Sequence, residues 1–176
     1  MTVTSVDNKE QYQGNGATLS FSFPNVFFDP SDLVVTLYDT ALSADVSPAP
    51  VLNGAAAYDY QVTGNKDASS GEYLSGADVV FNTALGADIR VTIERNVAAT
   101  QQVALVDNAK FPASAVNGAL DRLTTLIQQV MSQLRRAVLI PASDTLASTA
   151  ILPGAGARAL ALLGFDATGQ PMAYPA

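Results

Sequence analysis

Between positions 116 and 134, the large apolar residues Val116, Leu120, Leu123, Ile127, Val130 and Leu134 follow one another in steps of four, three, four, three and four. That spacing is a heptad stripe on a helix, narrower than the face of an ordinary amphipathic helix. With Leu120, Ile127 and Leu134 at position a, the d positions hold Val116, Leu123, Val130 and Ala137. Leu126 at g and Met131 at e widen the seam, as expected where more than two helices meet. Valine at d fits poorly in a parallel dimer and, beside Leu or Ile at a, favours three or four strands; Leu123 at d pulls the other way. Ser114 is the predicted cap, Pro141 the stop, and Gln129 at position c is expected on the outward face. From Val116 to Ala137 the helix would run about 33 Å at 1.5 Å per residue. The competing reading is a single amphipathic helix packed on the chain's own sheet, because three heptads is the lower limit for a coiled coil.

Upstream the period changes from helical to alternating. Leu19, Phe21 and Phe23 share one side of a predicted strand. Further strands are expected at Leu33 to Tyr38, through Tyr58, Tyr60 and Val62, at Asp78 to Phe81, and at Ile89 to Ile93. Glycine, asparagine and proline separate them, as at Gly14-Asn15-Gly16 and Asn53-Gly54. Five such strands predict an antiparallel sheet or small sandwich. Ala41 to Ala57, rich in Ala, Ser and Pro, reads as a loop over one edge.

Beyond Pro141, Leu146, Ile151 and Leu152 are the only large apolar residues before Arg158. Ala159 to Phe165 then reads as an apolar strand, and Asp166 to Pro171 as a polar turn. So few large side chains cannot build an independent core, so this segment is expected to lie against another chain or copy, or to stay mobile.

Composition removes whole classes of chemistry. The 176 residues contain no His and no Cys, which excludes disulfides, Cys nucleophiles, Ser-His-Asp triads and thiolate or imidazole zinc sites. Hydrophobic residues make up 48% and charged residues 14%, so the chain is not disordered throughout. A net charge of −7 argues against gripping nucleic acid or an anionic membrane. No apolar run approaches the roughly 20 residues of a membrane span, and Met1 to Gln13 lacks the apolar region of a signal peptide.

The remaining chemical candidates are carboxylates. Asp29 and Asp32 flank Pro30-Ser31, and Asp39, Asp59 and Asp67 lie in or near turns. Paired carboxylates could cleave a polysaccharide, but Asp in turns mainly accepts hydrogen bonds from nearby backbone amides. The ligand spacing of a calcium loop is missing. Gly154-Ala155-Gly156 lacks the residues of a phosphate loop and reads as a bend. Phe21, Phe23, Phe27 and Phe28 could stack sugars, but their alternation reads as sheet core. No catalytic, cofactor or metal residues are assigned.

The order of the pieces resembles the N-terminal anchor region of bacteriophage tail fibres and tailspikes, of the short-tailed phage type. The resembling residues are Tyr12 to Gly16, Phe21-Ser22-Phe23-Pro24, Asp32 to Leu37, Tyr58 to Gly64, Val79 to Ala84, Ile89 to Arg95, Phe111-Pro112 through Leu134, and Leu163 to Pro171. The resemblance implies a β-rich head that docks on a tail tube, adaptor or nozzle protein, a helix that gathers three copies, and a distal receptor-binding part. It places the protein in the virion tail after synthesis in the bacterial cytoplasm. Receptor recognition or polysaccharide cleavage would belong to the distal part; a chain complete at Ala176 would be an adaptor for a separate fibre or spike.

The expectation is therefore a mainly β protein with one long helix. Residues 1–110 form a sandwich-like antiparallel head, residues 111–140 a trimeric coiled-coil stalk, and residues 141–176 a β or irregular segment joining a distal fibre or tailspike. Val116, Leu120, Leu123, Ile127, Val130 and Leu134 are the expected trimer interface. No enzyme activity, cofactor, nucleic acid or membrane is expected. The alternatives are a carbohydrate-binding receptor-recognition module and a polysaccharide depolymerase.

Overall fold

The computed structural model describes residues 5, 7–46, 49–54, 58–68, 71–101, 113–137, 152–167 and 169–175. The chain divides into two compact units, Met1–Arg135 and Arg136–Ala176.

The first unit pairs two antiparallel sheets. One has the order β1-β7-β3-β4, from Lys9–Gln13, Ile89–Arg95, Leu33–Asp39 and Ala44–Asp45. The other has the order β2-β6-β5, from Ser20–Phe23, Ala77–Phe81 and Tyr60–Thr63. Alternation decides which side of each strand is dry, because successive side chains leave a strand on opposite faces. Leu33, Val35 and Leu37 of β3 and Val91 and Ile93 of β7 meet Phe21 and Phe23 of β2 and Val79 and Phe81 of β6 in one buried cluster. Phe27 and Tyr73 close one part of that core, their backbones bridged and their rings stacked 4.4 Å apart.

Several expectations change. Leu19 lies outside β2 and is exposed. The stretch from Ala41 to Ala57 is not all loop: Ala44–Asp45 pairs with Tyr38 and Asp39 as an edge strand, after a turn in which Ser43 has φ +53°. Lys9–Gln13 adds an unforeseen edge strand on β7. Gly76, with φ +73°, lets the chain turn where a Cβ would stand 2.0 Å from the Phe23 carbonyl oxygen.

The helix α1 spans Ala113–Leu134. Ser114 falls inside its first turn rather than at its cap, and Ala137 lies beyond its end, outside the expected d position. Pro141, Leu146 and Ile151, assigned roles from sequence, and Phe111-Pro112 of the resemblance lie outside the described residues.

The second unit holds a four-residue helix α2 (Ala155–Arg158) where a bend was expected, and a hairpin of β8 (Ala161–Phe165) and β9 (Pro171–Pro175). Its turn closes through Asp166, whose side chain accepts the Gln170 amide, with Gly169 at φ +82°. Leu162, Leu163, Phe165, Met172 and Tyr174 stay exposed on its two faces.

Candidate functional site

Three of the candidate carboxylates, Asp29, Asp32 and Asp39, accept hydrogen bonds from backbone amides. Asp29 caps a short 3-10 turn over Pro30–Asp32, accepting from both the amide and the hydroxyl of Ser31. Those bonds hold its carboxyl below the usual range. Asp32 is buried and accepts the amides of Phe28 and Asp29. Burial raises its pKa, against the pull of those amides and of Arg122. Asp39 accepts from Ala41 and Leu42 in a turn. Asp59 is buried, its carboxyl so close that a Cβ on Gly54 would meet it at 2.7 Å. Among the described residues no group of three His, Cys, Asp or Glu side chains comes together as a metal site. Phe21, Phe23 and Phe27 are buried core, and Phe28 lies 5.3 Å beneath the Arg122 guanidinium.

The distinctive surface lies on α1, and its two sides are reversed from the usual arrangement. An amphipathic helix normally turns its apolar side to its own core. Here the polar side does so. Arg122 and Thr125 are buried, and Gln128, Gln129 and Ser132 are half-buried. The helix lies on its own head through its polar face and the chain after β7, not through an apolar face on the sheet as the competing reading had it.

The chain after β7 supplies the partners. Arg122 donates from Nη2 to the Ala98 carbonyl at 2.8 Å and from Nε to the Thr100 carbonyl at 3.3 Å. Gln129 accepts the Val97 amide at 2.8 Å and donates to Asn96 Oδ1 at 2.7 Å. Gln129 therefore faces the head, which corrects its outward assignment. Gln128 accepts from Arg95 Nη2 at 2.7 Å and donates to the Ser5 carbonyl at 2.8 Å. Arg95, fully buried at the end of β7, also donates from Nη1 to the Val26 carbonyl. Burial lowers its pKa, with Asp32 opposing that shift.

The heptad residues lie on the other side. Leu120, Leu123, Ile127, Val130 and Leu134 are each 49–55% exposed, while Val116 is half-buried. Met131 joins the exposed row and Leu126 is half-buried at its border. In heptad terms, positions b, c and f bind the head, and a and d form a continuous apolar strip in solvent. Sequence reasoning found the strip but missed Arg95, Arg122, Gln128 and Gln129. The available signal was an outer face rich in neutral amides and hydroxyls, where a solvated helix carries paired charges.

A strip of this kind belongs to proteins that work through contact with another apolar surface. Over 141 residues the chain is 37% identical to the tail spike protein of Salmonella phage epsilon15, a match covering 80% of this chain and 12% of that protein. The chain thus spans about an eighth of the length of the relative it matches. No protein-family model matches it. The likeness relates the chain to phage tailspikes. Among the described residues no helix is long and apolar enough to cross a membrane.

Proposed function

We propose that this chain is the anchoring part of a phage tail fibre or tailspike, as a short adaptor or as the N-terminal part of the fibre. In this reading the sandwich docks on a tail tube, adaptor or nozzle protein, α1 joins three copies, and the segment after it meets the distal fibre or spike. The protein acts in the virion tail by holding, without enzyme activity, cofactor, nucleic acid or membrane. The observation that carries the reading is the exposed heptad strip of α1, left free while its polar face is used within the chain. The valines at d and the widened seam favour three helices over two. The likeness to a tail spike protein supports the setting.

Capture tests the reading: the purified chain is expected to bind spike-free phage tails and to block attachment of the intact spike. Failure on both counts would contradict it. Host surface polysaccharide incubated with the chain is expected to keep its length. Shortening that disappears in Asp29→Asn or Asp59→Asn would restore the depolymerase reading, and direct glycan binding would favour a recognition module.

A further inference from the structure

The polar face of α1 does more than cover the head. After β7 the chain leaves the sheet, and backbone polar groups there are taken up by helix side chains: the Val97 amide by Gln129, the Ala98 and Thr100 carbonyls by Arg122. These two anchors lie seven residues apart, about 10 Å along the helix axis. A single contact leaves a pivot, whereas two separated along the axis remove it. Hydrogen bonds are also directional, unlike apolar contact, so they fix the rotation of the helix about its own axis as well as its place. Arg95 adds a third tie through Gln128, and releasing the helix would take that acceptor from its guanidinium.

We propose that this face is a rigid lock that fixes the azimuth of the apolar strip relative to the head. Three heads then radiate from the stalk in one set orientation instead of swinging on tethers. They present the tail with a preformed threefold array. The lock concerns one chain; only the threefold array rests on the trimer reading above.

The chain has no cysteine, so spin labels can be placed by Gln61→Cys on β5 and Arg135→Cys just past α1, both exposed positions. A doubly labelled chain mixed with excess unlabelled chain reports the head-to-helix distance within one molecule by double electron–electron resonance. The expected result is one narrow distribution. With Arg122→Ala and Gln129→Ala together, the narrow peak is expected to be lost while the circular dichroism of the strands is kept. A broad distribution in the labelled chain without those two changes, or a narrow one that survives them, would overturn the lock. If the double substitution unfolds the head, Arg122→Ala alone, which leaves only the adjacent Gln128 and Gln129 contacts at one point on the axis, repeats the comparison. Light scattering on the same samples reads the other arm: a narrow distance in a monomer supports the lock and overturns the threefold array.

Discussion

Leu123 and Thr125 stand two residues apart on α1 and point to opposite sides, Thr125 wholly buried against the head and Leu123 54% exposed. Two residues advance a helix by about 200°, so the pair reports both faces within one turn. The buried side carries a hydroxyl that bonds back to the Asp121 carbonyl at 2.9 Å; the exposed side carries a leucine. Burying the remaining half of such leucines is worth about 1 kcal/mol each. That energy is unclaimed within the chain and available to an assembly.

Arg95 is expected to matter most among the polar residues. Arg95→Met leaves Gln128 Oε1 and the Val26 carbonyl without this donor and removes the cation that opposes Asp32. The loss should be about 3 kcal/mol, since hydrogen bonds to charged groups exceed neutral ones. Gln129→Ala, which strips the Val97 amide of its acceptor, should cost about 1 to 2 kcal/mol. Urea midpoints of both variants check the order; equal midpoints would contradict it.

Gly76 and Gly16 offer a backbone comparison. Both have positive φ, +73° and +75°, but a Cβ at Gly16 meets nothing within 4 Å while one at Gly76 collides with the Phe23 and Pro24 backbone. Gly16→Ala should cost about 1 kcal/mol, the left-handed penalty alone. Gly76→Ala should cost clearly more and lower the thermal midpoint further. Similar losses would mean that the β2–β6 end yields without strain.

Asp32 gives a pH dependence with a definite sign. Its carboxyl is raised above 3.8 in the fold, so between the unfolded and folded values the folded state binds more protons. Its contribution to stability therefore falls as pH rises through that window. Asp29, held low by Ser31, acts oppositely, its contribution present above its unfolded value and lost as pH falls through its folded one. The stability of the unsubstituted chain minus that of Asp32→Asn should thus decrease as pH climbs past 3.8. Denaturant titrations at stepped pH read that difference; an increase would contradict the assignment.

Much of the fold was legible because burial imposes a period. Along β3, β6 and β7 apolar residues recur at every second position, and those inward side chains are the core. β1 was invisible for the converse reason: in Lys9-Glu10-Gln11-Tyr12-Gln13 only Tyr12 packs on the core, and the strand is specified by its ladder to β7. β9 was hidden by Pro171 and Pro175 at its ends, where an edge tolerates a missing amide. The heptad strip was legible as a pattern, but the destination of each helix face was not. Period locates an apolar side without saying whether it meets the same chain or another. Arg122, Gln128 and Gln129 bind backbone groups whose position only the folded head defines.

The trimer is the central claim, and Leu123 tests it. Leu123→Asp would bring three carboxylates into one apolar layer, where desolvation and like charge act together. The cost should be several kcal/mol per trimer, on the order of what separates assembly from dissociation at micromolar concentration. The head should keep its strand signal, because Leu123 touches solvent rather than its core. Multi-angle light scattering decides the matter directly. The account predicts three times the 18.3 kDa chain mass for the unsubstituted protein and a single chain mass for Leu123→Asp. An unsubstituted monomer, or a Leu123→Asp variant that remains trimeric, would contradict it.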